Sequence, residues 1–195
     1  QLVQKQGTVL RVPNSMQWLD YAVALARAST VDMPIARLAL PLLLLSGRRS
    51  TELLNGKSAF LATARPTVAS FTGQLKKRTP DAFDMPLLCD FAVFRHAFAV
   101  LQAAQRHQVL ETEECNAKYA RPLGNGMPMY FPFAQHPHQL RSVYAAFVHK
   151  LYQCERTFNG TAKRILGHTS LDVSLAYTSV HLEGAPDAPT FGALP

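Results

Sequence analysis

The sequence predicts a mainly α-helical domain carrying one small antiparallel β-sheet, an α+β arrangement. Three observations lead there. Apolar residues recur at three- and four-residue steps through most of the chain, the mark of helices with one buried face. A single short region, residues 67–86, is instead rich in β-branched and aromatic residues around a glycine-containing turn. Finally, 195 residues with 48% apolar and 17% charged side chains suffice for one globular core.

Taken in order, Asn14 or Ser15 can cap a helix reaching about Ala28, with Met16, Leu19, Val23 and Ala26 on one face. A second helix is expected from about Met33 to Leu45. Pro34 suits its first turn, whereas Pro41 should kink or split it before Ser46-Gly47 ends it. Thr67 to Thr72 reads as a strand, Gly73 as its break, and Asp81 to Pro86 as the returning strand, with Lys76-Lys77-Arg78 at the turn between them. Leu87 to about His107 is helical, with Leu88, Phe91, Phe94, Phe98 and Leu101 forming a core stripe. The Gly- and Pro-rich residues 110–136 predict a long loop. Helix resumes from about His138 to Arg156, followed by shorter pieces over Thr161–Leu166 and Leu171–Val180. Residues 1–183 are expected to form a single domain, and 184–195 read as a flexible C-terminal tail.

A formal charge of +7 and a pI near 9.6 point to a polyanionic partner, nucleic acid first. Cys89, Cys115 and Cys154 form no C-x-x-C pair, so a cysteine-built zinc site is not expected, and they read as reduced thiols of an intracellular chain. The longest apolar run, Leu38 to Leu45, is far short of the roughly 20 residues a membrane span needs. The chain opens on Gln1 without a signal-like segment, which suggests a piece of a longer protein.

Four segments carry the chemistry: Gly47-Arg48-Arg49-Ser50-Thr51-Glu52, Gly73-Gln74-Leu75-Lys76-Lys77-Arg78, His138-Gln139-Leu140-Arg141, and Leu166-Gly167-His168 with Tyr177 nine residues beyond the histidine. Their types and order resemble the catalytic domain of tyrosine recombinases: G-x-R-x-x-E at a helix start, a lysine in a β-hairpin turn, H-x-x-R on a later helix, then L-G-H and a tyrosine. Each motif alone is weak, and their joint order over residues 42–177 is specific. Two stretches resemble a subgroup, the telomere resolvases. Phe71-Thr72-Gly73-Gln74-Leu75-Lys76 is similar to F-S-G-Q-A-K, and Leu140-Arg141-Ser142-Val143-Tyr144-Ala145 to L-R-A-x-Y-A. His138 departs from the tyrosine often found there in that group and matches the histidine of integrases.

The resemblance implies transesterification on duplex DNA through a 3′-phosphotyrosyl link, without metal or cofactor. Tyr177 is then the nucleophile. Arg49 and Arg141 hold the non-bridging oxygens, since guanidiniums give bidentate, permanently charged donors where negative charge develops. Glu52 orients Arg49. Lys76, with Lys77 as rival, is the general acid for the leaving 5′ oxygen, because adjacent ammoniums lower each other's pKa. His138 and His168 move protons or bind phosphate. Lys77, Arg78 and Arg48 are expected to contact DNA. The resemblance further implies a dimer or tetramer on DNA, no membrane association, and a separate N-terminal DNA-binding domain outside this chain. Two other readings stay open: a type IB topoisomerase, which uses similar residues, and a DNA-binding module that kept the fold without the chemistry. Read singly, Arg48-Arg49 could be a solvated helix start, Lys76–Arg78 a basic hairpin tip, His138 a helix-start residue and Tyr177 a core aromatic.

Overall fold

The computed structural model describes residues 9–75, 82–154, 157–166 and 180–195. Lys76, Lys77, Arg78, Gly167, His168 and Tyr177 lie outside the described residues, as do residues 171–179 of the last expected helix. The expected fold class holds: α-helices around one buried helix, with a small antiparallel sheet at one side.

The centre is α2 (Ile35–Ser46), with ten of its twelve residues buried, packed against α1 (Ser15–Arg27), α4 (Phe91–Ala104), α5 (Thr112–Tyr130) and α6 (Pro137–Leu151). A helix apolar on every side can only be stable when surrounded. Pro41 lies within α2 without splitting it. Neighbours on all sides fix the helix there and offset the lost hydrogen bond. Asn14 precedes α1 in a left-handed conformation and caps with its carbonyl, which accepts the Gln17 amide at 2.9 Å, not with its side chain.

The antiparallel sheet has three strands, β2 (Ala59–Ala62), β3 (Val68–Thr72) and β4 (Phe83–Pro86), in the order β2-β3-β4. β2 was not expected. The register places Phe60 beside Phe71 and Phe71 beside Phe83. Phe60 also meets Phe94 and Phe98 of α4, each with ring centroids 4.8 Å away. This aromatic seam fixes the sheet, and with it the hairpin, on the helical core.

Three further expectations are corrected. Residues 110–136 are not a loop: α5 fills most of them, starting where the Glu111 amide donates to Glu114 Oε2 at 2.9 Å. A second, parallel sheet joins β1 (Leu10–Val12) to β5 (Val180–Leu182). The segment 184–195 is not free of the body: the Thr190 and Phe191 amides donate to the Leu151 carbonyl, and Phe191 stacks on Tyr152 with centroids 4.9 Å apart. α3 (Ser50–Leu54) and α7 (Phe158–Leu166) complete the elements. No described helix is long and apolar enough to cross a membrane.

Candidate active site

Gly47 ends α2 with φ 61°, a left-handed conformation that glycine adopts without strain. A Cβ there would fall 2.0 Å from a ring carbon of Tyr144 on α6. The turn therefore brings the chain hard against α6, and Arg49 emerges next, at the start of α3. Glu52, one turn on, is fully buried. It accepts the Arg49 amide on Oε2 and the Arg49 guanidinium on Oε1, both at 2.9 Å. Oε1 also accepts the Leu75 amide at 3.3 Å, so one carboxylate ties the arginine turn to the residue preceding Lys76. Burial alone would push the Glu52 carboxyl up. Arg48, the Arg49 amide, Arg141 and the Arg49 charge together outweigh it and hold the group below its ordinary value.

Arg141 rises from α6 one turn after Pro137, which occupies the first position of that helix. It is 1% exposed. Its guanidinium donates through Nη1 to the Gly47 carbonyl and through Nη2 to the Leu166 carbonyl, the latter at 2.7 Å. Two anchors fix the plane of the group before any ligand arrives, as preorganised electrostatic stabilisation requires.

Arg49, Arg141 and His138 line one cleft of about 450 Å³, together with Leu75 and with Thr112 and Asn116 of α5. His138 keeps an exposed edge at the mouth. Partial burial and the positive charges of Arg141 and Arg49 hold its imidazole below the ordinary value. His136 does not enter this cleft and instead starts α6, where its amide donates to Gln139 Oε1 at 3.1 Å. The structure brings the two arginines, His138 and Glu52 together in space, from segments about ninety residues apart. Lys76, Lys77, Arg78, His168 and Tyr177 lie outside the described residues, though the residues flanking two of those segments, Leu75 and Leu166, reach the site.

Arg48 corrects an expectation. It is 1% exposed, with its Nη2 donating to the Ile165 carbonyl at 2.7 Å and its Cζ lying 5.1 Å and 5.4 Å from the ring centroids of Phe71 and Phe83. Although it lines the same cleft, a guanidinium enclosed this way presents almost no free surface. Sequence reasoning also missed Thr112 and Asn116, because the helix that carries them was read as a loop. No cluster of three His, Cys, Asp or Glu side chains suited to a metal occurs among the described residues.

This geometry coincides with a family assignment. The family model of the telomere resolvase ResT/TelK catalytic domain matches residues 14–179. The chain belongs to that family. Solved structures share its fold: a variant of protelomerase tela covalently complexed with substrate DNA is 19% identical with a TM-score of 0.77, over 90% of this chain and 61% of that one. Protelomerase TelK complexed with substrate DNA is 17% identical with a TM-score of 0.79, over 96% of this chain and 40% of that one. The XerH site-specific recombinase bound to a palindromic difH substrate is more distant, 14% identical with a TM-score of 0.57 over 91% and 52%. This telomere resolvase domain therefore spans less than two thirds of the solved protelomerase chains. No curated protein matches it.

Proposed function

We propose that this domain cuts and rejoins duplex DNA by transesterification, with Tyr177 as nucleophile, and that its product is a closed hairpin end. The observation that carries the reading is the shared cleft of Arg49 and Arg141, both oriented by internal hydrogen bonds, with His138 beside them. Membership of the telomere resolvase family supports the hairpin product over exchanged strands or relaxed circles.

In this reading the phenol oxygen of Tyr177 attacks the scissile phosphorus and its proton leaves to solvent or a nearby base. The 3′-phosphotyrosyl bond forms as the bond to the 5′ oxygen breaks, and Lys76 protonates the departing oxygen. Arg49 and Arg141 stabilise the extra charge on the non-bridging oxygens, each worth on the order of a few kcal/mol. His138, whose proton affinity is lowered by its surroundings, accepts a proton or a hydrogen bond once phosphate raises its basicity. Religation reverses the sequence with a DNA hydroxyl as nucleophile, so no external energy source is needed.

Trapping on a nicked suicide DNA tests the assignment. The protein should form a denaturation-resistant adduct, and Tyr177→Phe should abolish it while leaving salt-sensitive DNA binding in place. An adduct that survives in the Phe variant refutes the nucleophile. On intact target duplexes carrying inverted repeats, hairpin ends are the expected product. Relaxed circles from a plasmid lacking any target would instead support a topoisomerase.

A further inference from the structure

Arg48 occupies a position that the chemistry above leaves unused, yet it is as enclosed as Arg141. Its guanidinium is 1% exposed and lies beside the rings of Phe71 on β3 and Phe83 on β4. Nη2 donates to the carbonyl of Ile165, and Nη2 of Arg141 donates to the next carbonyl, Leu166, each at 2.7 Å. Two buried arginines thus grip consecutive carbonyls at the C-terminal end of α7. Those carbonyls lie in the last described turn of α7, and a helix C-terminus favours cations. Nε and Nη1 of Arg48 have no hydrogen-bond partner among the described residues. Its charge is compensated mainly by Glu52, the same carboxylate that holds Arg49 and Leu75.

We infer that Arg48 is a positioning residue, a buried peg that joins the arginine turn, the β3–β4 hairpin and the end of α7, and so sets where the segment after Leu166 begins. The inference rests on the reading that this segment carries His168 and Tyr177. A fixed α7 end shortens the arc over which the tyrosine must find the phosphate. Only arginine serves here, because a planar, weakly hydrated guanidinium can lie against two rings and still donate in its plane, whereas lysine offers a compact hydrated charge.

The test compares Arg48→Lys, Arg48→Met and Phe83→Leu with the parent protein in three measurements: equilibrium DNA binding across a salt series, single-turnover cleavage of nicked suicide DNA at saturating protein, and thermal unfolding. The peg predicts a dissociation constant within about twofold of the parent and an unchanged salt slope, with a saturating cleavage rate at least about tenfold lower in both Arg48 variants. Phe83→Leu, which keeps the charge and opens one ring face, should slow cleavage several-fold with binding intact, and it carries the test if the Arg48 variants do not fold. Weaker binding in Arg48→Met with a salt slope lower by about 1 and an unchanged saturating rate would make Arg48 a DNA contact and overturn the inference. So would a parental cleavage rate in a variant whose only change is a lower melting temperature. Tyr177→Phe run in parallel separates the two claims. If it still forms the adduct, the nucleophile falls. If it does not, and the Arg48 and Phe83 variants cleave at the parental rate, the peg alone falls.

Discussion

At Gly47 three requirements meet in one residue. Its φ of 61° favours glycine, its carbonyl accepts Arg141, and the Tyr144 ring fills the space a side chain would need. Tyr144 cannot retreat, since it is fully buried with its hydroxyl donating to the Pro86 carbonyl at 2.7 Å. Gly47→Ala should therefore cost on the order of 2–5 kcal/mol, combining backbone strain with overpacking, and a fall in the denaturation midpoint measures it. Glu52 gives a second prediction, this time in pH. Its carboxyl is held below the ordinary value of 4.5, so its contribution to stability is fully present above that pH and is lost as pH falls through the folded-state value. Glu52→Gln should destabilise by about 2 kcal/mol at neutral pH, and the difference from the parent should shrink as the solution is acidified below about pH 4.5. His138 responds to its own surroundings in the opposite sense once DNA binds. Its midpoint, followed by NMR, should lie below 6.5 in the free protein and rise when DNA phosphate enters the cleft, because an adjacent anion favours the imidazolium.

Among the elements, legibility followed locality. The α1 and α4 stripes, the start of α6 and the β3–β4 pair could be read because their patterns are complete within a short window. α5 could not, since Pro122, Gly124, Gly126 and Pro128 mimic a loop. The signal that would have found it was Cys115, Tyr119, Leu123 and Met127, buried at steps of four. β1 and β5 pair across about 170 residues, and β2 is a short strand with an exposed face, so neither announces itself locally. Motif order singled out two arginines and His138, which share a cleft, while the burial of Arg48 depended on rings and a carbonyl far along the chain. The glycines of α5 yield a paired prediction. Gly126 packs on α2, where an added Cβ would stand 2.5 Å from Ala36 Cβ, whereas Gly124 meets nothing within 4 Å. Helix propensity alone predicts that alanine stabilises both by up to about 1 kcal/mol. Packing predicts that Gly124→Ala stabilises and Gly126→Ala destabilises by about 1–3 kcal/mol, which chemical unfolding of the two variants resolves.

On the scale of the whole molecule, the C-terminal residues act as a strap across the junction of helix and sheet. Thr190 and Phe191 donate from the backbone to Leu151 at 2.9 Å and 2.7 Å, at the end of α6. The Phe191 ring stacks on Tyr152, and the Tyr152 hydroxyl donates in turn to the carbonyls of Thr67 and Leu87, which flank β3 and β4. The chain that carries Arg141 and the hairpin that leads to Lys76 are thereby joined at their far ends by a segment outside the cleft. Removing residues 184–195 should expose Tyr152, now 1% accessible, and release three backbone hydrogen bonds, the third from the Gln153 amide to the Gly192 carbonyl, and one ring stack. At about 1 kcal/mol for each, the loss comes to roughly 2–4 kcal/mol. Denaturant unfolding of the truncated protein should show a lower midpoint, and amide exchange should accelerate first in the last turn of α6 and along β3. An unchanged midpoint would mean that the strap lies on the surface without holding it, and that α6 and the hairpin keep their relation through the core alone.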